Sequence, residues 1–109
     1  MKRQWYFVLL SLAGGDRHGS GIMREVLELT GGELRLWPAT LYGSLDELRE
    51  EGWIEELSGA MERPEGESER KRFYRITASG RDALGAETER LAGIVREARA
   101  RIPLRGSEA

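Results

Sequence analysis

The sequence predicts a mainly α-helical fold with a small β-hairpin, on three observations. Apolar residues recur with a helical period in four segments of the 109-residue chain. After Gly52 the period changes to two in a pair of short segments, as expected of strands. Glycines and prolines separate these segments at the positions of helix ends and turns. A single domain of ordinary size therefore accounts for most of the chain.

The first helix is expected from Lys2 to Ala13. Its apolar residues cover almost the whole circumference, so it must be covered on more than one side, by the rest of the domain or by a second subunit. The apolar run from Trp5 to Ala13 is too short for a membrane span and lacks the cleavage site of a signal peptide. We therefore expect a cytoplasmic protein with no membrane partner. The following segment, from Gly14 to Gly19, has the composition of a turn.

A second amphipathic helix is expected from Ser20 to Thr30, and a third from Pro38 to Glu51. Pro38 suits the first position of a helix, and Gly52 suits the left-handed residue just beyond its end. The exposed face of the third helix carries small or hydroxyl-bearing residues and no charge in its first turns, which favours close approach to a ligand. These residues are Ala39, Thr40, Tyr42, Gly43 and Ser44. Two helices joined by a short turn form a helix-turn-helix pattern.

Two strands, Trp53–Leu57 and Arg72–Thr77, are expected to flank a polar hairpin tip at Ala60–Lys71. The order of elements is that of a winged helix-turn-helix domain, which we expect to span residues 1–77. Thr77 can cap a last helix from Ala78 to Arg101. Roughly 24 residues would make a helix of about 36 Å, too long to lie wholly against so small a core. We expect residues 78–103 to be a dimerisation helix packed on the same domain, and residues 104–109 to be a disordered tail.

Several motifs together resemble the PadR family of bacterial transcriptional regulators. They are His18-Gly19, Ile22-Met23-Arg24-Glu25-Val26, Thr30-Gly31-Gly32, Pro38-Ala39-Thr40-Leu41-Tyr42, Glu51-Gly52-Trp53-Ile54 and Arg72-Phe73-Tyr74-Arg75-Ile76-Thr77-Ala78-Ser79-Gly80-Arg81. The resemblance implies a homodimer built by the first and last helices, with the third helix in the DNA major groove. A single C-terminal helix resembles the short branch of the family, in which some members bind flat aromatic effectors at the dimer interface and others have none known.

Two residues depart from the family pattern. Ser20 stands where a Tyr is common after His-Gly, so a phosphate contact expected from that ring is reduced to a hydroxyl. Trp37 stands before Pro38, where a small or polar residue is usual. This substitution removes a good helix cap and puts a bulky ring beside the third helix.

The predicted sites follow from the helix pattern, the charges and the resemblance. The DNA-binding residues are Ser20, Arg35, Ala39, Thr40, Tyr42, Ser44, Arg70, Lys71, Arg72 and Arg75. The dimer interface comprises Trp5, Phe7, Val8, Leu84, Leu91, Ile94, Val95 and Ala98. A pocket for a small aromatic effector, if one exists, is expected at Trp5, Val8, Leu91 and Val95. The hydroxyl-bearing residues would contact base edges or phosphates, and the basic cluster would supply the salt-sensitive attraction to double-stranded DNA.

We therefore predict a homodimeric, sequence-specific DNA-binding regulator that recognises a two-fold operator. Repression is the default, because a small domain at a promoter blocks polymerase and the chain has no visible activation segment. The alternative is a winged-helix module that binds another protein without specific DNA binding, as the net charge of −2 would allow. The chain has no cysteine and a single histidine, His18, so we expect no enzyme activity, no metal site and no cofactor.

Overall fold

The computed structural model describes residues 1–57 and 72–102. Its elements are α1 (Arg3–Ala13), β1 (Arg17–His18), α2 (Gly19–Leu29), α3 (Pro38–Glu50), β2 (Ile54–Leu57), β3 (Phe73–Ile76) and α4 (Ala78–Arg101). The described strands form an antiparallel sheet of order β1-β3-β2. The predicted fold class, mainly helical with a small β-hairpin, is confirmed. The predicted hairpin tip and the predicted tail both lie outside the described residues.

The core lies where α1, α2 and α3 meet the sheet. Each helix contributes a stripe of side chains three or four residues apart, which is the spacing that turns one face of a helix inward. The fully or almost fully buried apolar helix residues are Val8, Leu9, Leu12, Ile22, Val26, Leu41, Leu45 and Leu48. Burial of each such side chain contributes about 1.5–3 kcal/mol before the entropy of ordering the chain is counted. The stripes therefore fix which face of α3 remains outside.

Helix ends follow the predicted capping pattern at most positions. The His18 Nδ1 accepts a hydrogen bond from the Gly21 N–H at 3.2 Å and so caps α2. Thr77 caps α4 by accepting from the Gly80 N–H at 3.0 Å, as predicted. Gly52 ends the α3 segment with a φ of 78°, which an L side chain rarely adopts. The side chain of Trp37 makes no capping hydrogen bond to α3, in agreement with its bulky apolar ring.

The sheet has a third strand that the sequence pattern missed. The segment predicted as a turn contains β1, whose Arg17 and His18 pair with Tyr74 and Phe73 of β3. Two residues are too few to display a period of two, and their partners lie far away in sequence. The aromatic ring of Phe73 meets the His18 ring edge-on, with the ring centroids 5.3 Å apart. Phe73 is buried, but it lies outside the main core cluster.

The helix α4 extends beyond the core, as predicted from its length. Among its residues only Gly80 and Leu84 are buried. Farther along, Ile94 and Val95 expose 51% and 45% of their surfaces, and Ile102 beyond the helix exposes 57%. The described helices include none that is long and apolar enough to cross a membrane.

Candidate nucleic-acid interface

The first turns of α3 present three of the predicted contact residues to solvent. Ala39 and Thr40 are exposed, and Tyr42 exposes 44% of its surface. The prediction that Ser44 shares this face is wrong, because Ser44 is only 2% exposed. Ser44 lies three residues after Leu41 and four before Leu48, so the helical period turns it inward with those leucines. A serine is small enough to be accommodated there, and its hydroxyl made it look like a surface residue.

Close packing between α2 and α3 holds Tyr42 in position. A Cβ atom at Gly19 would lie 2.5 Å from the Tyr42 Oη and 3.1 Å from its Cζ. A side chain at position 19 would therefore push the phenol away from the first residue of α2. Ser20, the next residue, is exposed. The fold thus brings the start of α2, with the Ser20 hydroxyl, to the first turns of α3.

The second half of α3 is held by α1. Glu47 accepts hydrogen bonds from the Lys2 Nζ at 2.9 Å and from the Trp5 Nε1 at 3.3 Å. These two hydrogen bonds lower the pKa of the Glu47 carboxyl below its ordinary value, the one from Lys2 contributing most. The Trp5 ring also meets the Trp53 ring edge-on at 5.7 Å. The sequence offered no local signal for this contact, because its members lie more than forty residues apart.

An apolar cleft of about 360 Å³ lies between α2 and the segment that precedes α3. Its lining residues are Met23, Arg24, Leu27, Arg35, Leu36, Trp37 and Pro38. The Trp37 ring is 65% exposed, and the Arg35 guanidinium carbon lies 5.8 Å from its centroid. The cleft adjoins the exposed first turn of α3, because Pro38 lines the cleft and is also the first residue of that helix. Of its residues, only Arg35 was predicted to bind DNA.

The basic residues of the β3 segment are less free than predicted. Arg75 donates hydrogen bonds to the Asp16 carboxylate, at 3.2 and 3.3 Å from its Nε and at 2.9 Å from its Nη2. It also lies 3.9 Å from Glu55, so its charge is largely compensated. Arg72 is more exposed, at 70% of its side chain, with Glu56 3.9 Å away. Arg70 and Lys71 lie outside the described residues.

The predicted dimer residues fall into three groups. Val8 and Leu84 are buried inside the protomer, which makes them core residues rather than contacts for a second subunit. Trp5, Phe7 and Leu91 are half-buried, whereas Ile94, Val95 and Ala98 are exposed. The correction for Val8 follows from its helical position, because Val8 shares the inward stripe of Leu12.

The cleft nearest to the predicted effector pocket has a different lining from the predicted one. A cleft of about 340 Å³ lies between α1 and α4, and it includes Leu91 but not Trp5, Val8 or Val95. Its lining residues are Met1, Arg3, Tyr6, Phe7, Glu87, Arg90 and Leu91. Arg3, Tyr6 and Phe7 share a different stripe of α1 from the core residues, which is why the cleft opens there.

The described residues contain no cluster of three or more side chains suited to a metal ion. The candidate site is a surface formed by the exposed turn of α3, the start of α2 and the adjoining cleft. Such a surface can donate hydrogen bonds and make apolar contacts.

Solved structures share this fold. A transcriptional regulator from Clostridium thermocellum has a TM-score of 0.73 at 22% identity, with 93% of this chain and 90% of the other covered. A PadR family transcription regulator from hypervirulent Clostridium difficile has a TM-score of 0.75 at 21% identity, with 91% and 97% covered. PadR of Bacillus subtilis, solved in complex with operator DNA, has a TM-score of 0.66 at 24% identity, with 80% and 47% covered.

The family is established by the sequence itself. No curated protein matches the chain. The family model described as Transcriptional regulator PadR-like family, however, matches residues 8–86, which include the second half of α1, all of α2 and α3, the strands and the first turns of α4. The resemblance noted from the motifs is confirmed, and the chain belongs to the PadR-like family of transcriptional regulators.

Proposed function

We propose that this regulator binds a two-fold DNA operator as a homodimer, with the first turns of α3 in the major groove. The observation that carries the proposal is the exposed, uncharged face formed by Ala39, Thr40 and Tyr42. Short side chains let the helix approach the base edges, and the Thr40 hydroxyl can hydrogen-bond a base or a phosphate. The Ala39 methyl group suits apolar contact with a thymine methyl group.

The start of α2 supports the same binding mode. The exposed Ser20 hydroxyl and the Tyr42 hydroxyl are suited to phosphate contacts that set the register of α3 on the duplex. The free N–H groups at the start of a helix also favour a phosphate. PadR of Bacillus subtilis, which has the same fold, was solved with operator DNA.

The far half of α4 supports dimerisation. Ile94, Val95 and Ile102 are each about half exposed, and these apolar residues lie beyond the protomer core. A second copy could cover them and also the outer face of α1 in a two-fold dimer, which is the commonest symmetric assembly. A two-fold dimer would in turn present two copies of α3 to two half-sites.

Repression and release by an effector complete the proposal. A dimer bound over a promoter would block polymerase. The cleft between α1 and α4, with Tyr6, Phe7 and Leu91 in its lining, has the apolar character and about the volume that a small aromatic compound needs. Its position against α4 would couple such a ligand to the arrangement of the dimer.

The proposed DNA contact is tested with two conservative substitutions on α3. Thr40→Val removes a hydroxyl at nearly constant volume, and Tyr42→Phe removes the phenol hydroxyl while keeping the ring beside Gly19. With a duplex enriched by the full chain from a random-sequence library, each should weaken binding by about five- to thirtyfold per dimer, that is, about 1–2 kcal/mol. Thr40→Ser keeps the hydroxyl and is the matched control.

Mobility shifts at two salt concentrations give the readout. Unchanged affinity in the double variant Thr40→Val/Tyr42→Phe would reject the assignment of this face. If the library yields no enriched sequence, the protein-binding alternative is favoured instead. Transcription in vitro from a template bearing the enriched sequence then distinguishes repression from activation.

A further inference from the structure

We infer that the cleft between α2 and the segment before α3 is a second DNA contact that holds the sugar–phosphate backbone beside the major groove. In this arrangement the Trp37 ring packs against a deoxyribose, and Arg24 and Arg35 bind the flanking phosphates. The inference rests on the proposed function, and it adds a site that the exposed turn of α3 does not include.

The first argument is the exposure of Trp37. At 65%, it is the most exposed of the large apolar side chains in the described part of the chain. It caps nothing, since its side chain makes no hydrogen bond at the start of α3. An exposed indole gains most when an amphipathic surface covers it, and a sugar ring with its C–H groups is such a surface.

The second argument is the charge around the ring. Arg24 and Arg35 line the cleft, and neither forms an ion pair with another residue of segments 1–57 and 72–102. The Arg35 guanidinium instead lies over the Trp37 ring, with 5.8 Å from its carbon to the ring centroid. A guanidinium held over a ring still presents its N–H groups at its edge, where a phosphate can bind.

The third argument is the location of the cleft. Pro38 lines the cleft and is the first residue of α3, so the cleft directly adjoins the exposed Ala39 and Thr40. On α2, Arg24 lies one helical turn after Ser20, on the same side of the helix. A duplex whose major groove receives the start of α3 would therefore carry its backbone past this cleft.

The chemistry of the cleft favours the backbone over a base edge. Its floor is formed by Met23, Leu27 and Leu36, which offer no hydrogen-bonding side-chain groups to read a base. A deoxyribose with a phosphate on each side matches an apolar lining that also includes two arginines. Such a contact would contribute affinity and register rather than base specificity.

The salt dependence of binding tests the two arginines. A phosphate contact contributes about −0.9 to the slope of log K against log salt, so loss of one contact per protomer should make the slope shallower by about 1.8 per dimer. Arg24→Gln and Arg35→Gln should each produce this change on the enriched duplex. Arg81→Gln is the matched control, because Arg81 is exposed on the first turn of α4 and does not line the cleft.

The fluorescence of Trp37 tests the ring contact. Emission of the wild-type protein should change on titration with the duplex, and the Trp37→Phe protein should show no change, since Trp5 and Trp53 are half-buried against each other. Trp37→Ala should weaken binding by about tenfold, whereas Trp37→Phe, which keeps a ring, should restore most of the affinity. Because Trp37 is exposed, these variants should fold, which circular dichroism would verify.

The possible results separate this inference from the proposed function. The backbone contact would be overturned by a selective complex in which Arg24→Gln and Arg35→Gln leave the slope of log K against log salt unchanged and the duplex leaves Trp37 emission unchanged. The role of α3 would then remain intact. Effects of Arg24→Gln and Arg35→Gln no larger than that of Arg81→Gln would likewise reject the backbone contact. If the chain binds no duplex selectively, the proposed function and this inference fail together.

Discussion

Substitution of Gly80 by alanine tests how tightly α4 is docked on the domain. A Cβ atom at Gly80 would collide with the Trp53 carbonyl oxygen, and would lie 2.8 Å from the Ile76 Cγ1 and 2.9 Å from the Trp53 carbonyl carbon. The Trp53 carbonyl cannot move freely, since it also accepts a hydrogen bond from the Thr77 N–H at 3.0 Å. Gly80→Ala should therefore cost about 3 kcal/mol from overpacking, partly offset by about 1 kcal/mol of helix propensity.

A matched control lies in the same helix. Gly85 has nothing within 4 Å of its ideal Cβ position, so Gly85→Ala should gain the propensity term alone, about 1 kcal/mol. The free energies of unfolding of the two variants should thus differ by about 3 kcal/mol. For a domain of this size the difference corresponds to about 12 °C in Tm.

Thermal unfolding followed by circular dichroism measures this difference. All samples should have equal protein concentration, because a dimer has a concentration-dependent Tm. Gly80→Ala should melt below the wild type and Gly85→Ala above it. A Gly80→Ala protein as stable as the wild type would refute the close contact between the start of α4 and the segment after α3. If both variants were destabilised equally, the effect would belong to the helix and not to the contact.

Three further predictions concern the site and its supports. The lowered pKa of Glu47, caused mainly by its hydrogen bond from Lys2, stabilises the fold above the carboxyl's ordinary pKa and ceases to do so as pH falls through the folded-state pKa. Glu47→Gln should therefore flatten the loss of Tm in acid, and an unchanged acid profile would contradict this. Gly19→Ala should displace the Tyr42 phenol and weaken DNA binding with little change in Tm. In a protein that already carries Tyr42→Ala, Gly19→Ala should not weaken DNA binding further. Ile94→Glu should shift the protein toward monomer in sedimentation if α4 forms the dimer, and an unchanged sedimentation coefficient would exclude that helix face.

Local sequence patterns were sufficient for the helices. The leucine spacing in α3, the proline at its first position and the glycine after its end each act within a few residues. The bounds of α3 were therefore predicted to within one residue, as Pro38–Glu51 against the observed Pro38–Glu50. The cap at Thr77 is of the same kind, since its partner is the Gly80 N–H three residues away. Features that depend on neighbours in the chain can be predicted from the chain.

Features that depend on distant residues could not be predicted in this way. The strand β1 exists because it pairs with β3, which lies beyond α2, α3 and β2. The Arg75 charge looked available for DNA because its partner Asp16 is 59 residues away. Ser44 was wrongly predicted for a local reason. Its position in the helical period indicates the buried face, but its polar side chain suggested the exposed face. Packing decided the matter, as it usually does where propensity and burial conflict.

The pairing of charged side chains also depends on distant residues, and it determines where positive charge is available for DNA. With a net charge of −2, the chain as a whole does not attract DNA. Yet many of its cations are paired with carboxylates, as in Lys2–Glu47, Arg17–Glu25, Arg72–Glu56 and Arg75–Asp16. Arg24 and Arg35, which have no such partner in the described segments, both line the cleft next to the start of α3. Attraction to DNA depends on where uncompensated charge is placed, so the acidic composition does not contradict a DNA-binding role.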